Sequence, residues 1–200
     1  MNTYPKHLPA EQRRAIIIEV VIKLAAEQNP SDITTAAIAQ GMGLTQGALF
    51  RHFPTKESIL EAVMHWVAEH LLARLDQAVE GINSPLAALE AVFMAHIQFV
   101  SEHPGIPRLL FAELQRSGDS LPKQVIQNLI QHYLDRLNQL MTNGKAQNEI
   151  KTELDIDIAS ISFIGSIQGL ILQSLIANDT ERMRRDARGV FAIYLDGIRS

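Results

Sequence analysis

Apolar residues recur at a helical period through most of the chain, and no stretch alternates in the way that would demand a strand. The pattern predicts an all-α protein of about nine helices. An amphipathic first helix runs from about Ala10 to Glu27, and two short helices follow around Ile38 and Leu49. Thr55 caps a long fourth helix that reaches Val79 or Glu80. Ser84-Pro85 opens the next, with proline in the first turn where its missing N–H costs nothing, and His103-Pro104-Gly105 ends it. A short helix is expected from Pro107 through Gln115, closed by Gly118. A longer one starts at Ser120-Leu121-Pro122 and fades around Asn143-Gly144 or continues to Gln147. Asp155 caps a helix from Ile156 to about Ile176, and Asp179 or Thr180 caps the last, which ends near Ile198. No internal repeat or low-complexity tract interrupts the series.

One segment carries a more specific geometry. Ile38-Ala39-Gln40-Gly41-Met42-Gly43-Leu44-Thr45-Gln46-Gly47-Ala48-Leu49-Phe50-Arg51-His52-Phe53 reads as a helix, a tight turn and a second short helix. Ala39 is small where two backbones would approach most closely, and Gly43 suits a left-handed turn position. Thr45 falls at the N-cap of the second helix, while Ile38, Met42, Leu44 and Leu49 supply the contacts between the pair. Such a helix-turn-helix points to DNA: Gln46 at the start of the second helix can pair with adenine in the major groove, and Gly47 lets the backbone come near. The same spacing also occurs in helical hairpins that bind nothing. Arg51, His52 and Lys56 around Phe53-Pro54-Thr55 favour DNA, because cationic and hydrogen-bonding groups suit phosphate contacts.

These residues, from Thr34 to Phe53 and on through Pro54-Thr55-Lys56-Glu57, resemble the DNA-binding signature of the TetR family of one-component transcriptional regulators. The resemblance implies a three-helix helix-turn-helix head over residues 1–55 and a larger helical ligand-binding and dimerisation body over residues 56–200. It implies DNA contacts from Thr34, Thr35, Thr45, Gln46, Gly47, Ala48, Phe50, Arg51, His52 and Lys56, made by a homodimer on a palindromic double-stranded operator. In the family's usual logic a small-molecule effector bound in the body shifts the spacing of the two heads. Two departures stand out: the family usually has a phosphate-contacting Tyr where this chain has Phe50, and a Gly-rich turn where this chain has Asn29-Pro30-Ser31-Asp32.

Composition narrows the options. With 46% hydrophobic and 20% charged residues, the chain suits a compact unit or a small head on a larger body rather than disorder. A net charge of −4 argues against indiscriminate coating of nucleic acid, so any DNA binding must be local and geometric. Six basic residues up to Lys56 (Lys6, Arg13, Arg14, Lys23, Arg51, Lys56) face four acids (Glu11, Glu19, Glu27, Asp32), which leaves +2 there and −6 on the remainder. Cysteine is absent, which excludes disulfides, thiolate metal sites and Cys nucleophiles and is compatible with the cytoplasm. Met1 to His7 lack the apolar core of a secretory signal. Ile156 to Ala177 comes nearest to a membrane span, but Asp157 and its several Ser and Gln side chains suit a buried helix better.

The last two helices suggest how the body assembles. The helix from Ile156 is apolar on nearly all faces, with Ser162, Gly165, Ser166 and Gly169 forming a narrow stripe, and the last helix adds Val190, Phe191, Tyr194, Leu195 and Ile198. Either the monomer core surrounds them or a second subunit covers one face, and a two-fold four-helix interface is the expectation. Arg182, Arg184, Arg185 and Arg188 read as a solvated turn paired with Glu181 and Asp186. Aromatic and polar groups set among apolar body helices, namely Trp66, His70, Phe93, His96, Phe99, Phe111, Tyr133 and Phe163, are candidate linings for a mostly apolar effector. Glu61, His65 and Glu69 recur every four residues on one helix face, a spacing commoner for solvated charges than for a metal, so no metal or cofactor is expected. A helical enzyme or small-molecule-binding protein that ignores DNA is the rival reading. No Gly-Xaa-Ser-Xaa-Gly, phosphate-cradling loop or two-His zinc motif accompanies the seven histidines, so no catalytic site is assigned.

Overall fold

The structure, a computed structural model, describes residues 9–200. The N-terminal segment Met1 to His7, with Lys6, lies outside the described residues. Among the described residues the fold is α1 (Ala10–Glu27), a 3₁₀ turn (Pro30–Asp32), α2 (Thr35–Gly41), α3 (Gln46–Phe50), α4 (Lys56–Ala78), α5 (Pro85–Glu102), α6 (Gly105–Leu114), α7 (Leu121–Ala146), α8 (Ile156–Ala177) and α9 (Thr180–Ile198). It is all-α, with one isolated bridge between Ile150 and Arg199 in place of any sheet.

Caps explain most of these boundaries. Thr55 Oγ1 accepts from Ser58 N–H, Asp155 from Ile158 N–H, and Asp179 from the N–H groups of Glu181 and Arg182. α4 ends as its last turn tightens, Val79 and Glu80 donating three residues back before Gly81 takes φ 74°. α6 starts at Gly105, two residues ahead of the proline expected to open it. Pro107 is then the third helical residue, where the N–H has no intrahelical partner to lose.

Packing divides the chain into two compact units: residues up to Glu69 together with His103–Gln127, and His70–Glu102 together with Asn128–Ser200. In the first, α1 buries Ile17, Val21 and Ala25, and the short helices anchor through Ile38, Leu49 and Phe53. α6 crosses α1 nearly backbone to backbone at Gly105: a Cβ there would collide with the Ile22 carbonyl oxygen and lie 2.8 Å from the Ala26 nitrogen.

The second unit is centred on aromatic rings. Phe93, Phe163, Phe191 and Tyr194 meet mostly edge to face, with Phe93 and Phe163 centroids 5.4 Å apart and Phe163 and Tyr194 5.5 Å apart. Tyr194 donates its hydroxyl to the Ala159 carbonyl. Gly144 lets α7 run on to Ala146, because a Cβ would strike the Ile150 side chain that rests on it. The Glu149 carboxylate then accepts from Ser84 Oγ and Leu86 N–H at the start of α5.

α8 is long and apolar enough to cross a membrane by length and composition alone. Its inner face, including Phe163, Ile164, Ile167 and Ile171, is buried in the second unit. Its outer face is open: Ile158, Ile161, Leu172 and Ile176 are exposed, as is Ile193 of α9. The basic turn of α9 is paired within itself, Arg182 with Asp186, Arg184 with Glu181, and Arg185 with Asp179 and Asp186.

Candidate nucleic-acid interface

The turn between α2 and α3 is set by local hydrogen bonding. Gly43 adopts φ 66°, its N–H bonds to the Gln40 carbonyl, and Leu44 N–H reaches back to the Ala39 carbonyl at 2.8 Å. This is a Schellman closure, in which a residue with a Cβ would be strained at position 43. Thr45 is extended, and its Oγ1 accepts from Ala48 N–H at 3.2 Å to start α3. Thr34 caps α2 in the same way through Ala37 N–H.

α3 is pinned from below and open above. Leu49 and Phe53 are fully buried, whereas Thr45, Gln46, Gly47 and Arg51 are exposed, Ala48 is half-buried and Phe50 is 42% exposed. Nothing approaches within 4 Å of where a Gly47 Cβ would stand, so the helix presents a clear edge. Thr34 is exposed too, and the half-buried Thr35 accepts a hydrogen bond from Gln46 Nε2. Phe50 offers that edge a ring without a hydroxyl.

Positive charge gathers beside it. Arg14 of α1 donates to the His52 carbonyl at 3.0 Å, and its guanidinium sits 4.3 Å from the centre of the Phe53 ring. His52 has its pKa lowered from 6.5, first by burial and then by the fields of Arg13, Arg14 and Arg51, which favours its neutral, hydrogen-bonding form. Three arginines thus share one corner. In the sequence Arg13 and Arg14 show only as charge on α1, because the contact of Arg14 with His52, 38 positions on, leaves no local signal. Lys56, in the same unit, lines a cleft of about 340 Å³ with Ser31, Glu57, Glu113 and Arg116.

Residues 17–63 match the description "Bacterial regulatory proteins, tetR family", and residues 65–197 match "YsiA-like protein, C-terminal region". The chain belongs to the TetR family. Relatives agree at low identity. A nucleoid occlusion factor, SlmA, from Marinomonas sp. (strain MWYL1) is 24% identical over 159 residues, covering 80% of this chain and 81% of that protein. The transcriptional regulator FadR from Bacillus subtilis, solved with stearoyl-CoA, is 21% identical and superposes with a TM-score of 0.81 over 92% of this chain and 98% of its own. The ketosteroid regulator KstR2 of Mycobacterium tuberculosis is 21% identical with a TM-score of 0.76, over 94% and 95%. This TetR-family protein is therefore a DNA-binding transcriptional regulator, from a family of regulators rather than enzymes.

The residues expected to line an effector pocket are divided between the two units. Trp66 and Phe111 belong to the first unit, where Trp66 meets the His103 ring edge-on at 5.3 Å, and both are half-buried. The other six belong to the second unit. Phe93 and Phe163 are fully enclosed core, Phe99 is buried, and His70 is exposed. Half-buried His96 and buried Tyr133 form a pair, Nδ1 to hydroxyl 3.2 Å, and desolvation lowers the His96 pKa to about 4 and raises that of Tyr133. Tyr133 also lines a small cleft of about 200 Å³ with Leu75, Val79, Val92, Leu137 and Leu140. Asp76 and Arg136, in a two-pronged ion pair, also line it. Glu61 and His65 stand 4.0 Å apart on α4, and the described residues contain no cluster of three groups able to hold a metal.

Proposed function

We propose that the protein is a homodimeric repressor that binds a palindromic operator through α3 and releases it when a small, largely apolar effector binds in the helical body. The observation that carries this reading is the unobstructed Thr45-Gln46-Gly47 edge flanked by Arg14 and Arg51. Thr45, Gln46, Gly47 and Ala48 face the bases, while Thr34, Arg51 and His52, with Phe50 beside them, lie against the backbone. Arg13 and Arg14 join that set, and Lys56 plays a lesser part. Residues 1–55 are the DNA-binding portion and 56–200 the ligand-binding and dimerisation portion.

Dimerisation through α8 and α9 is supported by their open apolar face. Ile176 is 70% and Ile193 77% exposed, and nothing lies within 4 Å of the Cβ positions at Gly165 and Gly169. A contiguous apolar face of this kind marks an association surface on a soluble chain. Two-fold pairing would set the α3 helices about one turn of DNA apart, about 34–36 Å. The effector class is supported by two structural neighbours: a FadR solved with stearoyl-CoA, apolar in its acyl chain though charged in its headgroup, and a ketosteroid regulator. α4 contributes residues to both units and is the element through which an effector would act. An effector needs only a differential affinity of about 1–3 kcal/mol to shift binding measurably. The setting is cytoplasmic.

A gel-shift assay on the DNA upstream of the protein's own gene tests this. Wild-type protein should retard that duplex, stearoyl-CoA serves as the first probe for release, and Gln46→Ala and Arg51→Ala should each weaken binding. Failure of wild-type protein to retard the duplex would count against the repressor reading.

A further inference from the structure

Two helix starts lie side by side in the motif, and their threonines are used differently. Thr34 and Thr45 both commit their hydroxyls as caps, accepting from Ala37 and Ala48 N–H. Thr35 does not cap. Its Oγ1 accepts from Gln46 Nε2 at 2.9 Å, across eleven positions of chain. Gln46 is exposed at the leading end of α3, where its three side-chain torsions would otherwise leave the amide free to wander. The bond to Thr35 uses one N–H; adenine reading requires this to be the N–H anti to Oε1, which leaves the syn N–H and Oε1, a donor beside an acceptor. That pair complements the N7 acceptor and N6–H₂ donor of adenine in the major groove.

The geometry points to Thr35 as a positioning residue for base reading, which holds the Gln46 amide so that each half-site is discriminated at one adenine. This rests on the proposed entry of α3 into DNA. It differs from a direct Thr35–phosphate contact in what it costs to remove. A lost phosphate contact weakens binding evenly across sequences and flattens the salt dependence. A lost tether weakens discrimination at one base pair and leaves the salt dependence alone.

The probe is a duplex enriched from a randomised pool by the full-length wild-type protein, together with the set in which each base pair is replaced in turn. Gln46→Ala identifies the base pair that Gln46 reads. Thr35→Val keeps the branched shape without the hydroxyl; it should bind the enriched duplex yet lose about tenfold of its discrimination at that base pair. Discrimination elsewhere and the salt slope should be unchanged. Thr35→Ser should restore it, and Thr35→Val should add nothing in a Gln46→Ala background. Uniform loss with a shallower salt slope, or full discrimination retained in Thr35→Val, overturns the assignment. Side-chain amide relaxation of Gln46 in the free wild-type protein checks the tether without any variant: a restrained amide supports it, and mobility equal to other exposed glutamines overturns it. If the pool yields no enriched duplex, the DNA reading of α3 falls and this inference with it, an outcome distinct from an enriched duplex whose recognition ignores Thr35.

Discussion

Replacing Ile193 by alanine isolates the proposed subunit interface from the fold. Ile193 is 77% exposed in the single chain and lines both shallow depressions of the α8–α9 face, about 460 and 690 Å³, so it sits where they adjoin. The substitution removes three carbons that the monomer barely covers. At about 0.8 kcal/mol per buried carbon, scaled to the exposed fraction, a fully covered Ile193 contributes about 2 kcal/mol per site. Two-fold symmetry doubles this to about 4 kcal/mol, or between two and three orders of magnitude in the dimer dissociation constant. Sedimentation equilibrium over a wide concentration range reads that constant, and circular dichroism at low concentration checks that the monomer melts as before. A dimer constant unchanged in Ile193→Ala would refute the placement of the interface on this face, and a wild-type chain that stays monomeric at high concentration would refute dimerisation itself.

Other expectations follow from single contacts. Gly105→Ala forces α6 off the α1 backbone and should cost about 1–3 kcal/mol, seen as a melting temperature several degrees lower. His96 titrates near 4 when folded and 6.5 when unfolded, so the unfolded chain binds more protons between those values. Stability is therefore lost as pH falls from 6.5 toward 4, and His96→Gln should flatten the pH dependence of chemical denaturation there by up to about 1.4 kcal/mol per pH unit. Arg14→Ala and Arg51→Ala should each weaken operator binding evenly across sequences and reduce the salt slope by about 1, measured by fluorescence anisotropy.

What could be read in the chain beforehand was local. Gly43 in its left-handed turn, Thr45 as the cap of α3, Asp155 as the cap of α8 and Asp179, one of two candidates with Thr180, as the cap of α9 all depend on neighbours within a few residues, and hydrogen bonding realises each. The apolar periodicity likewise gave the helix order to within a residue or two. Long-range pairings were not legible. Gly105 matters because it meets Ile22 and Ala26, some eighty positions earlier, and no pattern around Gly105 encodes that crossing. Arg14 joins the recognition corner only through the His52 carbonyl and the Phe53 ring. The aromatic residues of the body show the same limit: their type among apolar helices makes them candidate pocket linings, and long-range packing makes Phe93 and Phe163 core while Tyr133 borders a cleft.

The absence of cysteine allows the most direct test of where α3 goes. Phe50→Cys places a unique thiol one turn along α3 from Gln46, at a side chain already 42% exposed, and an iron chelate attached there cuts nearby DNA. On the duplex that the protein retards, strand cleavage should fall in two clusters about 10–10.5 base pairs apart, each centred on a major groove. A bound duplex left uncut, or cut without that spacing, would contradict the entry of α3 into DNA.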